Sequence, residues 1–380
     1  KESDLLGEWC SLDAYSLPES PSADLLTNIK KGQRVVTFGD VHGDLSALRK
    51  FLVTAQIMDP DSSMENPVWS GGDTICVQCG DILDRGDYEL ACLRALTSLS
   101  RQATEAGGSL IMLYGNHEAL NSVGLFHYAN PGGNVEFERD IGLTLDATLQ
   151  TNRWRLQFAG NQPARWAALE PGGILAQNLM AHMKVTVLVG RTVFVHAGLT
   201  ADHLKSYGGI QGMNKAATDW ITMSHHGQNR NKGDFTTSEE VIDYANRRAT
   251  LASKQLPPCL GGGIGDTSPI WMRDYSRPND RPPANPKAQH MIDECFRELG
   301  NDVQRMVMGH TPQKQINSAL KGKAWRVDVG ASSGVMGGTP EVLEIIHGGK
   351  DEDDTISILR YNTDFKIESK SRQVFEDHIF

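Results

Sequence analysis

The sequence predicts an α/β fold with parallel pairing in at least part of its sheet. Short apolar runs at 34–38, 74–79 and 110–114 each end in Gly-Asp or Gly-Asn. The first two are followed by apolar residues at helical spacing, which is the strand-turn-helix signature. A third observation agrees with these: the later apolar runs are also short and are separated by helical or loop sequence.

In chain order, residues 1–33 mix charged residues with turn formers such as Pro18, Ser20, Pro21 and Ser22, and read as an irregular lead-in. Residues 34–38 (RVVTF) form the first strand and stop at Gly39-Asp40; Leu45, Leu48, Phe51, Leu52 and Ala55 then share one helical face. The second strand ends at Gly80-Asp81, before the helical series Leu90, Leu93, Leu96 and Leu99, and the third ends at Gly115-Asn116-His117-Glu118. From about 119 to 184 the pattern becomes helical, with Trp154, Trp166 and the turn Pro171-Gly172-Gly173, and reads as an insertion covering one side of the core. Strands are expected at 185–189, 192–195, 305–308, 325–329 and 356–360, and surface loops at about 224–240 and 257–287. Residues 34–380 are expected to form a single catalytic domain.

Composition limits the function classes. The chain has 380 residues, 39% hydrophobic and 22% charged, enough to bury a core. Its net charge of −10 opposes a general electrostatic grip on nucleic acid, so an anionic ligand needs a local positive centre. No apolar run approaches the length of a membrane-spanning helix, and no membrane insertion is expected. Six scattered cysteines do not form a secreted disulfide framework, and Cys76 and Cys79 read as buried free thiols. The expected setting is intracellular, in the cytoplasm or an organelle such as a chloroplast or mitochondrion, although no targeting segment is visible. His225-His226 reads as a solvent-facing pair rather than a metal clip.

The candidate chemistry lies just beyond the strand ends, where open α/β sheets place their ligand crevice. Asp40, His42, Asp81, Asn116, His196 and His310 all fall there. This mixed nitrogen and oxygen set suits manganese, iron or zinc, and with one bridging carboxylate it can hold two divalent ions. Such ions would supply the missing positive centre and activate a bridging water for in-line displacement at phosphorus. His117 is placed to protonate a leaving-group oxygen, and Asp84 to orient its ring. Arg85 and Arg273 can fork onto phosphate oxygens. Asn121 reads equally well as a supporting residue or a helix cap.

The motifs GDVHG (39–43), GDILDRG (80–86), GNHE (115–118), HAG (196–198) and GH (309–310) together resemble the phosphoprotein phosphatase family of binuclear metallophosphoesterases. The resemblance implies a calcineurin-like fold, a central β-sandwich flanked by helices. It also implies one metal on Asp40, His42 and Asp81 and a second on Asp81, Asn116, His196 and His310, with Asn116 also contacting substrate phosphate. The serine-alanine-proline-asparagine-tyrosine motif of the eukaryotic serine/threonine branch is absent. Arg326-Val327-Asp328-Val329-Gly330 and the segment around Pro171-Gly172-Gly173 instead resemble the bacterial-type branch, most closely the Shewanella-like protein phosphatases.

The resemblance therefore implies a phosphoprotein substrate, direct attack by a metal-bridging hydroxide, and His117 as general acid. Phosphotyrosine and phosphoserine/threonine both remain open as the target. The alternatives are a small-molecule phosphohydrolase, such as one cleaving dinucleoside polyphosphates, and a non-catalytic scaffold, which would be expected to have lost a ligand.

Overall fold

The computed structural model describes residues 12–19, 21, 26–141, 162–223, 238–263, 266–283, 285–300, 302–360 and 368–371. Trp154, His225-His226, Cys10 and most of the expected loop at 224–240 lie outside these residues.

Strand β1 (Arg34–Phe38) hands over to α1 (Leu45–Thr54) through the turn that carries Asp40 and His42. Asp44 caps α1 by accepting the Ala47 N–H at 2.9 Å, and Leu48, Phe51 and Leu52 are buried against the sheet. Phe51 stacks on Phe38 with ring centroids 4.9 Å apart, so helix and strand pack through the residues whose spacing announced them. The unit repeats as β2 (Ile75–Gln78) and α2 (Glu89–Glu105), then as β3 (Ser109–Met112) and α3 (Asn116–Ser122).

The described parts of the 119–184 segment are helical: α4 (Pro131–Ile141), α5 (Pro163–Leu169), α6 (Ile174–Asn178) and a 3-10 turn at Met180–His182. Strands β4 (Thr186–Val189) and β5 (Thr192–Val195) follow, then α7 (Ala201–Tyr207), α8 (Ile210–Ile221), α9 (Ser238–Gln255) and α10 (Ala288–Leu299). The chain continues through β6 (Arg305–Met308), β7 (Asn317–Ala319), β8 (Ala324–Arg326), β9 (Glu341–Ile346), β10 (Thr355–Arg360) and β11 (Glu368–Ser371).

Among the described residues these strands form two mixed sheets. One runs β11-β10-β9-β1-β2-β3 and the other β4-β5-β6-β8-β7. The parallel pairs are β1–β2, β2–β3, β5–β6 and β6–β8, as the strand-turn-helix pattern requires. On its other side β1 pairs antiparallel with β9. A Leu113–Lys184 bridge joins the sheets at one edge, and both contribute to one hydrophobic core.

Some expectations need correction. Strands β7, β9 and β11 lie outside the expected set; in β9, Glu341 and Glu344 interrupt the apolar pattern. Their charges are paired instead: Glu341 with Arg360 at 2.6 Å and Glu344 with Arg34 at 2.7 Å. Among its described residues segment 257–287 holds no helix or strand, but it is a surface loop only in part. Leu260, Ile270, Met272 and Tyr275 are fully buried, and the Tyr275 hydroxyl donates to Leu199 O at 2.9 Å. No helix among the described residues is long and apolar enough to cross a membrane.

Candidate active site

The residues singled out in the sequence converge. Asp40 and His42 follow β1, Asp81 follows β2, and Asn116 opens α3 beyond β3; all four come from the first sheet. His196 and His310 follow β5 and β6 of the second. All six are at most 6% exposed.

Asp81 lies at the centre. Its Oδ2 is 3.8 Å from His42 Nε2, 3.4 Å from His196 Nε2 and 3.8 Å from His117 Nε2. Two groups of possible ligand atoms share it: His42, Asp81 and His117 in one, Asp81, His196 and His310 in the other. Asp40 joins the first through a 3.8 Å approach to His42, and Asn116 Oδ1 joins the second at 3.1 Å from His196 Nε2. His117, expected as an acid rather than a ligand, sits inside the first group.

The surroundings hold each ligand type in a usable orientation. His42 Nδ1 meets Leu83 O at 3.0 Å, His196 Nδ1 meets Cys79 O at 2.6 Å and His310 Nε2 meets Trp271 O at 3.1 Å, so each ring leaves its other nitrogen for the cluster. The Oδ1 atoms of Asp81 and Asp40 accept the backbone N–H groups of His117 and His310, which leaves their Oδ2 atoms inward. His42, Asp81, Asp84, Arg85 and His310 all have positive φ, between 48° and 68°, so the backbone of the site is held in a region that non-glycine residues seldom occupy.

Glu118, whose role the sequence did not reveal, braces this backbone. Its two oxygens accept N–H groups from Asp81, Ile82, Leu83 and Gly115, tying the loop after β2 to the start of α3.

The electrostatics favour cation binding. Burial, reinforced by His117, pushes the His42 pKa down to about 3. Burial, His196 and Arg273 push His310 well below its usual value. Both rings are therefore neutral at pH 7, as metal ligands must be. Burial also raises Asp40 well above the ordinary carboxylate range, helped by Asp328 and Asp81, while Asp328 is raised to about 6. Among the described residues, Asp328 Oδ2 is buried without a hydrogen-bond partner. Carboxylates crowded away from water at this density suit a bound cation, so the residues present fit a pair of divalent ions.

Beside the cluster, His117 Nδ1 lies 2.6 Å from Asp84 Oδ2. Burial disfavours the imidazolium, but Asp81 and Asp84 outweigh it and raise the His117 pKa. Asn121 is no cap: its side chain donates to Asp84 Oδ1 at 3.1 Å and to His117 O at 2.8 Å. Arg165, on α5, also reaches Asp84 Oδ1, at 2.7 Å. It carried no sequence signal, since it lies outside every motif and far from Asp84 in the chain.

The two expected phosphate contacts flank the cluster. Arg85 lies over the Tyr128 ring at 4.9 Å, next to His117, and among the described residues its buried Nε has no partner. Arg273 is exposed and donates to Thr311 Oγ1 at 2.7 Å, beside His310. Cys76 and Cys79, like the other described cysteines, are buried free thiols.

Comparison with known proteins agrees with this arrangement. The sequence pattern of the calcineurin-like phosphoesterases matches residues 33–254. Shewanella-like protein phosphatase 2 of Arabidopsis thaliana is 32% identical over 363 residues, which cover 88% of this chain and 81% of that protein. Shewanella-like protein phosphatase 1 of Plasmodium berghei is 36% identical over 104 residues, 27% of each chain. Among solved structures, the cold-active protein-tyrosine phosphatase of a psychrophilic Shewanella species superposes with a TM-score of 0.55 at 18% identity, covering 94% of this chain and 90% of that one; this shows a shared fold. The chain is a phosphoester hydrolase of the calcineurin-like phosphoesterase family and, within it, belongs to the Shewanella-like protein phosphatases.

Proposed function

We propose that this hydrolase is a two-metal phosphoprotein phosphatase that cleaves phosphomonoesters without a covalent enzyme intermediate. The observation that carries the reading is the sharing of Asp81 between two groups of metal-ligand side chains, one from each end of the cluster. Asp40, His42 and Asp81 would hold one ion, and Asp81, Asn116, His196 and His310 the other. When bound, such ions neutralise phosphoryl oxygens and make a water a stronger nucleophile at neutral pH.

The protein's own groups complete the reaction. Arg85, and Arg273 from the opposite side, bind the phosphoryl oxygens, and Asn116 is near enough to assist. His117, protonated with the help of Asp81 and Asp84, gives its Nε2 proton to the departing oxygen as the P–O bond breaks. Asp84 keeps the Nδ1 side of that ring engaged, so that Nε2 faces the cluster.

The test is hydrolysis of matched phosphotyrosine and phosphoserine/threonine peptides by metal-stripped protein, with manganese, zinc and iron restored in turn. Turnover that returns with metal supports the reading, and the ratio between peptides identifies the residue class. Turnover on dinucleoside polyphosphates but on no peptide would replace the protein substrate with a small molecule. No turnover with any metal and any phosphoester would overturn the two-metal mechanism.

A further inference from the structure

Arg165 is a fully buried cation that the proposed chemistry does not use. Its Nη1 donates to Glu89 Oε2 at 2.5 Å and its Nη2 to Glu89 Oε1 at 2.8 Å, a two-point pairing that already compensates the charge. The rings of Phe126 and Phe137 lie 5.4 and 4.8 Å from the guanidinium carbon and shield it from water. Two further bonds go beyond compensation. Nη2 also donates to Asp84 Oδ1 at 2.7 Å, and Nε donates to Asn121 Oδ1 at 2.7 Å. Asn121 in turn donates to the same Asp84 oxygen. Asp84 Oδ1 is therefore held twice, and only Oδ2 is left for His117. Asp84 cannot rotate away from His117 without breaking bonds in a dry pocket, where an unmade bond is costly.

We propose that Arg165 is a positioning residue for hydrolysis. Through Asp84 it fixes the ring of His117, so that its Nε2 proton reaches the leaving oxygen as that oxygen takes the electron pair of the breaking P–O bond. The proposal rests on the reading of His117 as general acid. It also gives the helix that ends the insertion a catalytic task. Glu89 secures the charge, and the remaining edge of the fork is spent on orientation, which lysine cannot reproduce because it lacks the planar array of donors.

The experiment uses the full chain, loaded with manganese, and two aryl phosphates. 2,4-Dinitrophenyl phosphate releases a phenolate that leaves unprotonated, whereas phenyl phosphate needs the proton. Arg165→Lys keeps the charge beside Glu89, and the double variant Arg165→Met/Glu89→Gln removes both charges together so that the pocket keeps no unpaired ion. In both variants kcat for phenyl phosphate is expected to fall about 10²-fold, the scale of general acid catalysis, while the dinitrophenyl ester changes by less than about threefold. KM and inhibition by inorganic phosphate should stay within about twofold of wild type, because Arg165 does not face the phosphate site. Added to His117→Asn, either change should cost nothing further.

Equal losses on both esters, or losses that add to those of His117→Asn, would overturn the proposal. So would failure of both variants to melt cooperatively, which would make Arg165 a residue of the fold alone. If His117→Asn itself loses turnover equally on the two esters, the general-acid reading fails and takes this proposal with it. If His117→Asn discriminates and the Arg165 variants do not, only the role of Arg165 is refuted.

Discussion

Gly115→Ala tests the centre of the site by sterics alone. Gly115 has φ −102° and ψ 177°, extended backbone that alanine adopts freely, so no conformational penalty obscures the result. A Cβ at this position would lie 2.0 Å from Asp81 Oδ1 and 2.4 Å from Asp81 N. Real contacts of this kind essentially never fall under 3.0 Å, so the carboxylate must retreat by about 1 Å. It is tethered by the His117 N–H, and the Gly115 N–H is itself held by Glu118, so the strain spreads through the loop and the start of α3. Overpacking of this kind costs about 1–3 kcal/mol of stability, enough to lower the melting temperature by several degrees. A displacement of about 1 Å at the reacting centre costs about 10²-fold in turnover. Metal content by atomic emission, thermal melting and kcat are read together. Gly261→Ala serves as the control, because its nearest neighbour is 3.6 Å away and it should differ from wild type by less than about 0.5 kcal/mol. A folded Gly115→Ala protein with wild-type metal content and turnover would refute the placement of Asp81 as the shared ligand.

Four further outcomes are expected. Because Asp84, hydrogen-bonded to His117 Nδ1, favours the protonated ring, kcat should decline as pH rises through the titration of His117, and this alkaline limb should vanish in His117→Asn. Asp354, whose side chain is 1% exposed, pairs with Arg305 at 2.5 Å and His347 at 3.0 Å, and Asp354→Asn should cost about 3 kcal/mol in denaturant titrations without changing KM. The Asp354 carboxyl is held below its usual 3.8, so its contribution is present above that pH and fades as pH falls through the depressed value, which melts of the wild type against pH would show. Chelation should abolish turnover yet leave a cooperative melt, lowered by about 3–4 kcal/mol for each of the two ions held at 100 to 1,000 times its Kd, because Glu118 and the backbone bonds to Asp40 and Asp81 hold the loops without metal.

The site was more legible in the sequence than the frame that carries it. Asp40, Asp81 and Asn116 could be read because each follows an apolar strand through a glycine, a local signal. Glu118 stood in a quoted motif without a role, since its four bonds go to backbone atoms that no side-chain pattern reveals. Arg165 was invisible for a related reason: an arginine in a short helix has the composition of a solvated face, and only tertiary packing encloses it with Glu89 and Asp84. In β9 the pairing partners of two glutamates come from other strands, so single-strand periodicity reported a charged segment. Segment 257–287 misled in the opposite direction. Proline, glycine and asparagine describe its lack of regular structure correctly and say nothing of its depth.

The division of the ligand set between two sheets makes the distance across the cluster depend on the thickness of the core. His196 and His310 arrive on strands that share no ladder with β1 and β2. The loops from the two sheets meet where Gly80 and Gly309 leave no room for a side chain: a Cβ at Gly80 would lie 2.9 Å from His196 Nδ1, and one at Gly309 2.5 Å from Asp40 Oδ1. The apolar layer thus acts as a spacer gauge for the metal positions. Trimming a fully buried side chain between the sheets would let them settle closer and detune that gauge. Homologues that exchange core residues would then differ in which ion they hold while keeping every ligand in place.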